Sequence, residues 1–132
     1  MKQNHILIVE DEESLLKLES ILLTTRGYRV TGVTNGGAAL EAIIADRPDL
    51  VLLDIMMPGI DGFEVCRIIK SDPVTRDIPV VMLTAKKSTY DQTRGLEAGA
   101  SAYITKPFKS QKIAEVIEGL LPKNVLIRKG AD

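Results

Sequence analysis

Leu50-Val51-Leu52-Leu53-Asp54 is the stretch of sequence that decides the fold. Four apolar residues in succession, closed by a carboxylate, predict a short strand that is buried on both faces and ends at a polar edge. Strands of this kind belong to parallel sheets, in which helices cover each face. The rest of the chain should therefore supply further buried strands and the helices that connect them.

Short apolar and β-branched runs do alternate with segments of helical spacing along the chain. Gly27 is placed to end the first helix, and Asn35 can cap the second. Five strand–helix units result, so the sequence predicts an α/β fold with a parallel sheet between two helical layers. The predicted strands are residues 6–9, 29–33, 50–53, 80–83 and 102–105, and the predicted helices are residues 13–26, 36–45, 63–70, 89–98 and 110–121.

Apolar residues at helical spacing predict which side of each helix faces the sheet. Cys66, which lies beside Val65 and Ile69 on the third helix, is expected to be a buried structural thiol. The expected apolar sides consist of Leu15, Leu18 and Leu22 in the first helix, Leu40, Ile43 and Ile44 in the second, and Ile113, Val116, Ile117 and Leu120 in the last.

The composition restricts the class of protein. A chain of 132 residues, 45% hydrophobic and 27% charged, has the size and make-up of one globular domain. Its net charge is −1 and its aromatic content 4%, so neither a basic surface for nucleic acid nor a base-stacking surface is expected. No apolar stretch approaches the roughly 18–20 residues of a membrane span. We therefore expect a soluble, cytoplasmic protein that binds neither membranes nor nucleic acids directly.

Polar residues follow the predicted strands directly, always at the same end. Glu10 and Asp11 follow the first strand, Asp54 the third, Thr84 the fourth and Lys106 the fifth. Sites in open α/β sheets form beyond the carboxyl ends of the strands, where the strand order reverses. We therefore expect three carboxylates, a hydroxyl and an ammonium to converge on one edge of the sheet.

A cluster of three carboxylates needs a counterion. At a separation of about 5 Å, two carboxylates repel by about 3 kcal/mol at an effective dielectric constant of about 20. Ligands that offer oxygen only, without His or Cys, select a hard cation such as Mg²⁺, which Mn²⁺ can replace. A carboxylate beside Mg²⁺ and a lysine can act as a nucleophile in phosphoryl transfer, because both cations neutralise the charge on the phosphoryl oxygens.

These residues, in this order, resemble the receiver domain of two-component response regulators, the CheY-like family. The resemblance covers residues 5–121 and implies a doubly wound, flavodoxin-like fold of three layers, with a five-stranded parallel sheet of order 2-1-3-4-5. Residues 1–121 would form the receiver domain, and residues 122–132 a C-terminal tail or the start of a linker. The motifs that carry the resemblance are Val9-Glu10-Asp11, Leu53-Asp54-Ile55-Met56-Met57-Pro58-Gly59, Asp61-Gly62, Thr84-Ala85 and Lys106-Pro107-Phe108.

The resemblance assigns the chemistry to the acidic residues. Asp54 would accept a phosphoryl group from a phosphohistidine on a sensor histidine kinase or a histidine phosphotransfer protein. Asp11, Asp54 and the backbone carbonyl of Met56 would bind Mg²⁺, whereas Glu10 would act mostly through water. Family members often have Asp at the position of Glu10, a departure that should affect metal affinity only.

The resemblance also implies a switch. Lys106, joined to Pro107 by an expected cis bond, would pair with the phosphoryl group, which Thr84 would approach while Tyr103 swings inward. The side chains of Met56 and Lys86 would flank the phosphoryl group. The surface formed by the fourth helix, the fifth strand and the fifth helix, roughly residues 88–121 and here named the output face, would then control an unidentified downstream protein. Self-phosphorylation and autodephosphorylation would be the chain's own reactions, so it is not expected to be an enzyme.

Residues 75–85 also look like the corresponding stretch in receivers of winged-helix transcription regulators, which often dimerise through charged pairs on the output face. Much of that charge pattern is absent here, so we expect a monomer or a weak dimer. The positions that depart from the pattern are Ser101, Ala102, Lys112 and Val116, whereas Arg94 and Glu97 retain it.

Three other classes of protein match parts of this pattern. A haloacid-dehalogenase-like phosphatase also uses an aspartyl nucleophile but needs a second acid two residues later, where this chain has Met56. A flavodoxin-like redox module needs a phosphate-binding loop where Glu10-Asp11-Glu12-Glu13 would repel phosphate. A degenerate receiver would lack part of the site, whereas the set is complete here. His5 has no partner pattern and is not expected to be a phosphohistidine.

Overall fold

Ten elements alternate along the chain in a computed structural model that describes residues 3–55, 59–85, 88–106 and 109–121. Each predicted strand and helix is present, with its ends within one residue of the prediction. The elements are β1 (His5–Val9), α1 (Glu13–Thr25), β2 (Arg29–Val33), α2 (Gly36–Ala45), β3 (Leu50–Leu53), α3 (Gly62–Ser71), β4 (Val80–Thr84), α4 (Thr89–Glu97), β5 (Ala102–Thr105) and α5 (Ser110–Leu120).

The five strands form one parallel sheet of order β2-β1-β3-β4-β5, which confirms the expected topology. The chain winds outward from β1 to β2 and then crosses back to β3, so the strand order reverses between β1 and β3. A ligand site in such a sheet forms at this reversal. The residues that follow β1 and β3 are therefore the ones that the fold brings together.

Alternate residues of the central strands point into two separate cores. Leu7, Val9, Val51 and Leu53 pack on the side of α2 and α3, and Ile6, Ile8, Leu50 and Leu52 pack on the side of α1 and α5. Every residue of β1, β3 and β4 is buried. This burial explains why these strands are apolar apart from His5 at the start of β1 and Thr84 at the end of β4, as parallel strands covered on both faces are.

Two of the expected helix faces differ from the structure. Leu18 is 55% exposed and Ile44 is 84% exposed, so neither belongs to the core as predicted. In α1 the buried face instead contains Glu19 and Leu23, which are four residues apart and so lie one above the other on the helix. Leu18 precedes Glu19 by one residue, which turns it about 100° away from that face.

Caps and glycines fix the ends of the helices beside the site. Asn35 accepts a hydrogen bond from the backbone of Ala38, as expected for the cap of α2, and Asp61 accepts one from Glu64 at the start of α3. Gly62 begins α3 so close to Ile55 that a Cβ atom would overlap its backbone. Gly27 follows α1 at a φ of +97°, in the left-handed region that glycine adopts without strain.

None of the helices in the described part of the chain combines the length and the apolar character that crossing a membrane requires.

Candidate functional site

The carboxylates of Glu10, Asp11 and Asp54, here named the acidic site, meet beyond the ends of β1 and β3. One oxygen from each lies within 4.8 Å of the others. The sheet ladder holds two of these residues, because Asp54 N donates to Val9 O at 2.9 Å and Glu10 N donates to Val33 O at 3.0 Å. Glu10 and Asp54 are buried, whereas Asp11 is exposed. The geometry therefore assembles the three acids that the strand ends predicted.

Lys106 is the cation that the described part of the chain brings to this site. Its Nζ donates to Glu10 Oε1 and to Asp54 Oδ2, each at 3.3 Å. The backbone positions it, because Lys106 N donates to Thr84 O at 2.7 Å directly beyond the paired ends of β4 and β5. Burial lowers the pKa of Lys106, but the charges of Asp54 and Glu10 outweigh this effect and raise it above its ordinary value. The ammonium group therefore stays charged at neutral pH.

One ammonium does not balance the buried acids. Burial, followed by a hydrogen bond to Asp54 and the negative charge of that residue, raises the pKa of Glu10 to about 8 although Lys106 lowers it. Positive charge beside this buried pair of acids would stabilise the ionised form of Glu10. A divalent cation would supply that charge.

The donor set fits Mg²⁺. The acidic site offers carboxylate oxygens alone, which suit a hard cation, and one of its acids is exposed so that the cation can keep part of its water. Glu12 N also donates to Glu10 Oε2 at 3.3 Å, which holds this carboxylate beside the other two. The predicted contribution of the Met56 carbonyl lies outside the described residues.

The two predicted switch residues lie on neighbouring strands. Thr84 is the last residue of β4 and is fully buried, and Tyr103 lies in β5 beside Met82 in the register of the sheet. Tyr103 is half-buried and packs against the core on the side of α2 and α3. Burial and then the charge of Asp91 raise the pKa of Tyr103 to about 12, so its hydroxyl group keeps its proton. Lys86 and Pro107, also predicted here, lie outside the described residues.

Glu19 is a charged residue near the site that the sequence patterns did not single out. It lies in the second turn of α1, and burial raises its pKa to about 7 although Lys106 and a hydrogen bond to Glu10 lower it. A helical wheel could have found it, because position 19 lies four residues from both Leu15 and Leu23. The leucine spacing, however, suggested a different buried face.

Two residues that the sequence did not assign to the site, Cys66 and His5, lie away from it. Cys66 is fully buried, and its thiol donates to Ala98 O at 3.4 Å. His5 begins β1, at the opposite edge of the sheet from Asp54, and its Nε2 lies 2.7 Å from Thr31 Oγ1.

Comparison with known proteins identifies the family. The response regulator receiver domain family matches residues 6–118. The DNA-binding response regulator MtrA of Mycolicibacterium smegmatis is 41% identical over 122 residues, which are 92% of this chain and 52% of that protein. This chain thus spans about half the length of MtrA.

Solved structures agree with the family match. A putative response regulator from Chloroflexus aurantiacus superposes with a TM-score of 0.88 at 33% identity, over 92% of this chain and all of that one. The chemotaxis protein CheY4 of Vibrio cholerae superposes with a TM-score of 0.86 at 27% identity, over 91% of this chain and all of CheY4. The chain belongs to the response regulator receiver domain family and acts in phosphorylation-dependent two-component signalling.

Proposed function

We propose that Asp54 is the phosphoacceptor of this receiver and that Mg²⁺ bound at the acidic site is required for the reaction. The observation that carries the proposal is the contact of Lys106 Nζ with Asp54 Oδ2 at 3.3 Å, beside two further carboxylates. A buried aspartate with an ammonium group and a cation site next to it has the parts that phosphoryl transfer to a carboxylate requires.

In the transfer step, a carboxylate oxygen of Asp54 attacks the phosphorus atom of a phosphohistidine. The phosphorus–nitrogen bond breaks, the imidazole leaves with the electron pair and takes up a proton, and Asp54 becomes an acyl phosphate. Lys106 Nζ contacts both Glu10 and Asp54, so its ammonium group can turn from Glu10 to the phosphoryl oxygens on Asp54. Bound Mg²⁺ supplies additional positive charge for those oxygens. Asp11, Asp54 and the Met56 carbonyl would hold it directly, and Glu10 through water.

The phosphoryl group then biases the switch. It brings about two negative charges and strong acceptor oxygens to the end of β3, which favours one of two existing conformations. Thr84 would bond to the new oxygens, with Met56 and Lys86 flanking them, and Tyr103 would follow Thr84. At the output face, the Arg94 guanidinium of α4 stacks 4.1 Å from the centre of the Phe63 ring in α3.

The same proposal covers the partners. A sensor histidine kinase or a histidine phosphotransfer protein would supply the phosphoryl group, and the output face, residues 88–121, would bind a downstream protein. Residues 1–121 would act as the receiver, a cytoplasmic signalling module rather than an enzyme, and as a monomer or a weak dimer. MtrA is a DNA-binding regulator, whereas this receiver would act on nucleic acid only through another domain or protein.

Intact-mass measurement tests the proposed acceptor. With Mg²⁺ and acetyl phosphate, the wild-type chain should gain one phosphoryl group, and Asp54→Asn should gain none. Asp77 is an exposed acid that does not belong to the acidic site. Asp77→Asn therefore serves as the matched control and should still be phosphorylated. An adduct that persists in Asp54→Asn, or sustained turnover of varied phosphate esters, would contradict the proposal.

A further inference from the structure

Glu19 is a buried acid that the proposed phosphotransfer does not use. It is 1% exposed, although it lies in a helix whose neighbouring leucines 16, 22 and 23 pack into the core on the side of α1 and α5. Its Oε2 atom is buried and makes no hydrogen bond to any residue that the structure describes. An oxygen that has lost water without gaining a partner costs free energy, so this position calls for an explanation.

The surroundings of Glu19 connect it to the acidic site. Its carboxyl group is hydrogen-bonded to Glu10, and the charges of Lys106 and Asp54 both act on it. Lys106 already contacts Glu10 and Asp54 at 3.3 Å each. Among the described residues, a third buried acid thus lies near the one ammonium group that contacts the other two, and the charge of this group of residues is negative.

Glu19 is not one of the three acids whose oxygens converge at the acidic site, but it lies next to one of them, Glu10. The three carboxylates that could hold one ion are those of Glu10, Asp11 and Asp54. Any effect of Glu19 on a bound cation is therefore indirect. Residues that hold the ligands of a metal in this way contribute to its affinity by fixing their orientation and adding charge.

We infer that Glu19 is a positioning residue of the acidic site, which holds the carboxylate of Glu10 and strengthens the binding of a divalent cation. The inference rests on the proposed Mg²⁺ site but names a residue outside it. Two observations support it: the Glu19 carboxyl group is fully buried, with no hydrogen bond from Oε2 to the residues that the structure describes, and this carboxyl group lies within hydrogen-bonding reach of Glu10.

The test is the affinity for Mg²⁺ alone, measured by isothermal titration calorimetry without any phosphodonor. Glu19→Gln keeps the shape and removes the charge, and it should weaken Mg²⁺ binding by about tenfold. Glu41→Gln makes the same change at an exposed position of α2 and should stay within about twofold of the wild type, as distant surface charges do. Glu19→Leu provides the same comparison if the amide is not tolerated in the core.

A double-mutant cycle with Glu10→Gln shows whether the effect passes through Glu10. The combined variant should lose less affinity than the sum of the two single losses, because both changes remove the same arrangement. A merely structural Glu19 would change the melting temperature and leave Mg²⁺ affinity alone. Wild-type affinity in both Glu19→Gln and Glu19→Leu, or strict additivity with Glu10→Gln, would overturn the inference.

Asp11→Asn separates this inference from the proposed function. If Asp11→Asn weakens Mg²⁺ binding and Glu19→Gln does not, the cation site stands and the role of Glu19 is wrong. If neither change affects Mg²⁺ binding, the assignment of the cation site itself is wrong.

Discussion

Lys106 Nζ lies 3.3 Å from Asp54 Oδ2, so that an ammonium group at the end of β5 contacts a carboxylate 52 residues earlier in the sequence. The same nitrogen lies 3.3 Å from Glu10 Oε1. Lys106 therefore neutralises part of the negative charge of the acidic site before any phosphoryl group or divalent cation arrives. A cation must compete with Lys106 for the carboxylates, whereas a phosphoryl group competes with the carboxylates for Lys106.

Lys106→Ala should accordingly change two properties in opposite directions. Mg²⁺ should bind about threefold tighter or more, because a competing positive charge leaves the carboxylates. Phosphorylation by acetyl phosphate should slow by about tenfold or more, because a charge that stabilises the transferring group is lost. Calorimetry and the time course of the intact mass measure the two effects.

Lys17→Ala is the matched control for that variant, because Lys17 is an exposed lysine of α1. It should leave Mg²⁺ affinity and phosphorylation unchanged. Weaker Mg²⁺ binding in Lys106→Ala would show that the lysine supports the cation rather than competing with it.

Asp11→Asn tests the exposed member of the acidic site. Asp11 supplies one of the three carboxylates whose oxygens lie within 4.8 Å of one another. Replacing a charged ligand by a neutral amide should weaken Mg²⁺ binding by about tenfold or more. Phosphorylation should become slower at low Mg²⁺ and recover in part at high Mg²⁺. Affinity equal to that of Asp77→Asn would refute Asp11 as a ligand.

Stability without Mg²⁺ should fall as the pH rises. Burial raises the pKa of Glu10 from 4.5 to about 8 and that of Glu19 from 4.5 to about 7. Between pH 4.5 and these values the folded chain therefore holds more protons than the unfolded chain. The free energy of unfolding must decrease with pH wherever the folded state binds more protons, and this loss should level off above about pH 8.

Urea unfolding between pH 5 and pH 9, with and without Mg²⁺, measures this dependence. Mg²⁺ should reduce the fall, because a bound cation stabilises the ionised carboxylates. The double variant Glu10→Gln, Glu19→Gln is the control and should lose most of the dependence. A wild-type stability that rises between pH 5 and pH 8 without Mg²⁺, relative to this variant, would contradict the raised pKa values.

The contrast between Glu10 and Glu19 shows how far sequence reasoning reaches in this fold. Glu10 and Asp54 were predictable because each follows an apolar strand directly, and parallel strands deliver their ends to one edge. Glu19 was missed, because its burial depends on the rotation of α1 against the sheet, and the leucine spacing that includes Leu18, which is 55% exposed, favoured another rotation. The pKa of Glu10 is raised by its burial and by the short distance to Asp54, and both exist only in the folded chain.

Gly95→Ala tests the packing of α4 on the predicted switch residue. A Cβ atom at Gly95 would lie 2.8 Å from Cδ2 of the Tyr103 ring and 3.0 Å from Met82 Sδ. Because alanine favours a helix, its insertion would stabilise α4 by up to about 1 kcal/mol if space allowed. Overpacking costs about 1–3 kcal/mol, so we expect a net loss of stability together with displacement of Tyr103. Urea unfolding measures the loss, and tyrosine fluorescence reports the displacement.

Gly119→Ala is the control, because a Cβ atom at Gly119 in α5 meets no other atom within 4 Å. This variant should be more stable than the wild type by up to about 1 kcal/mol, as an exposed helical glycine predicts. Adding Tyr103→Ala to Gly95→Ala should recover the stability lost through the clash, because the ring that the new methyl group meets is gone. If Gly95→Ala instead stabilises the chain as much as Gly119→Ala does, α4 has room to shift, and Gly95 does not restrict where Tyr103 can lie.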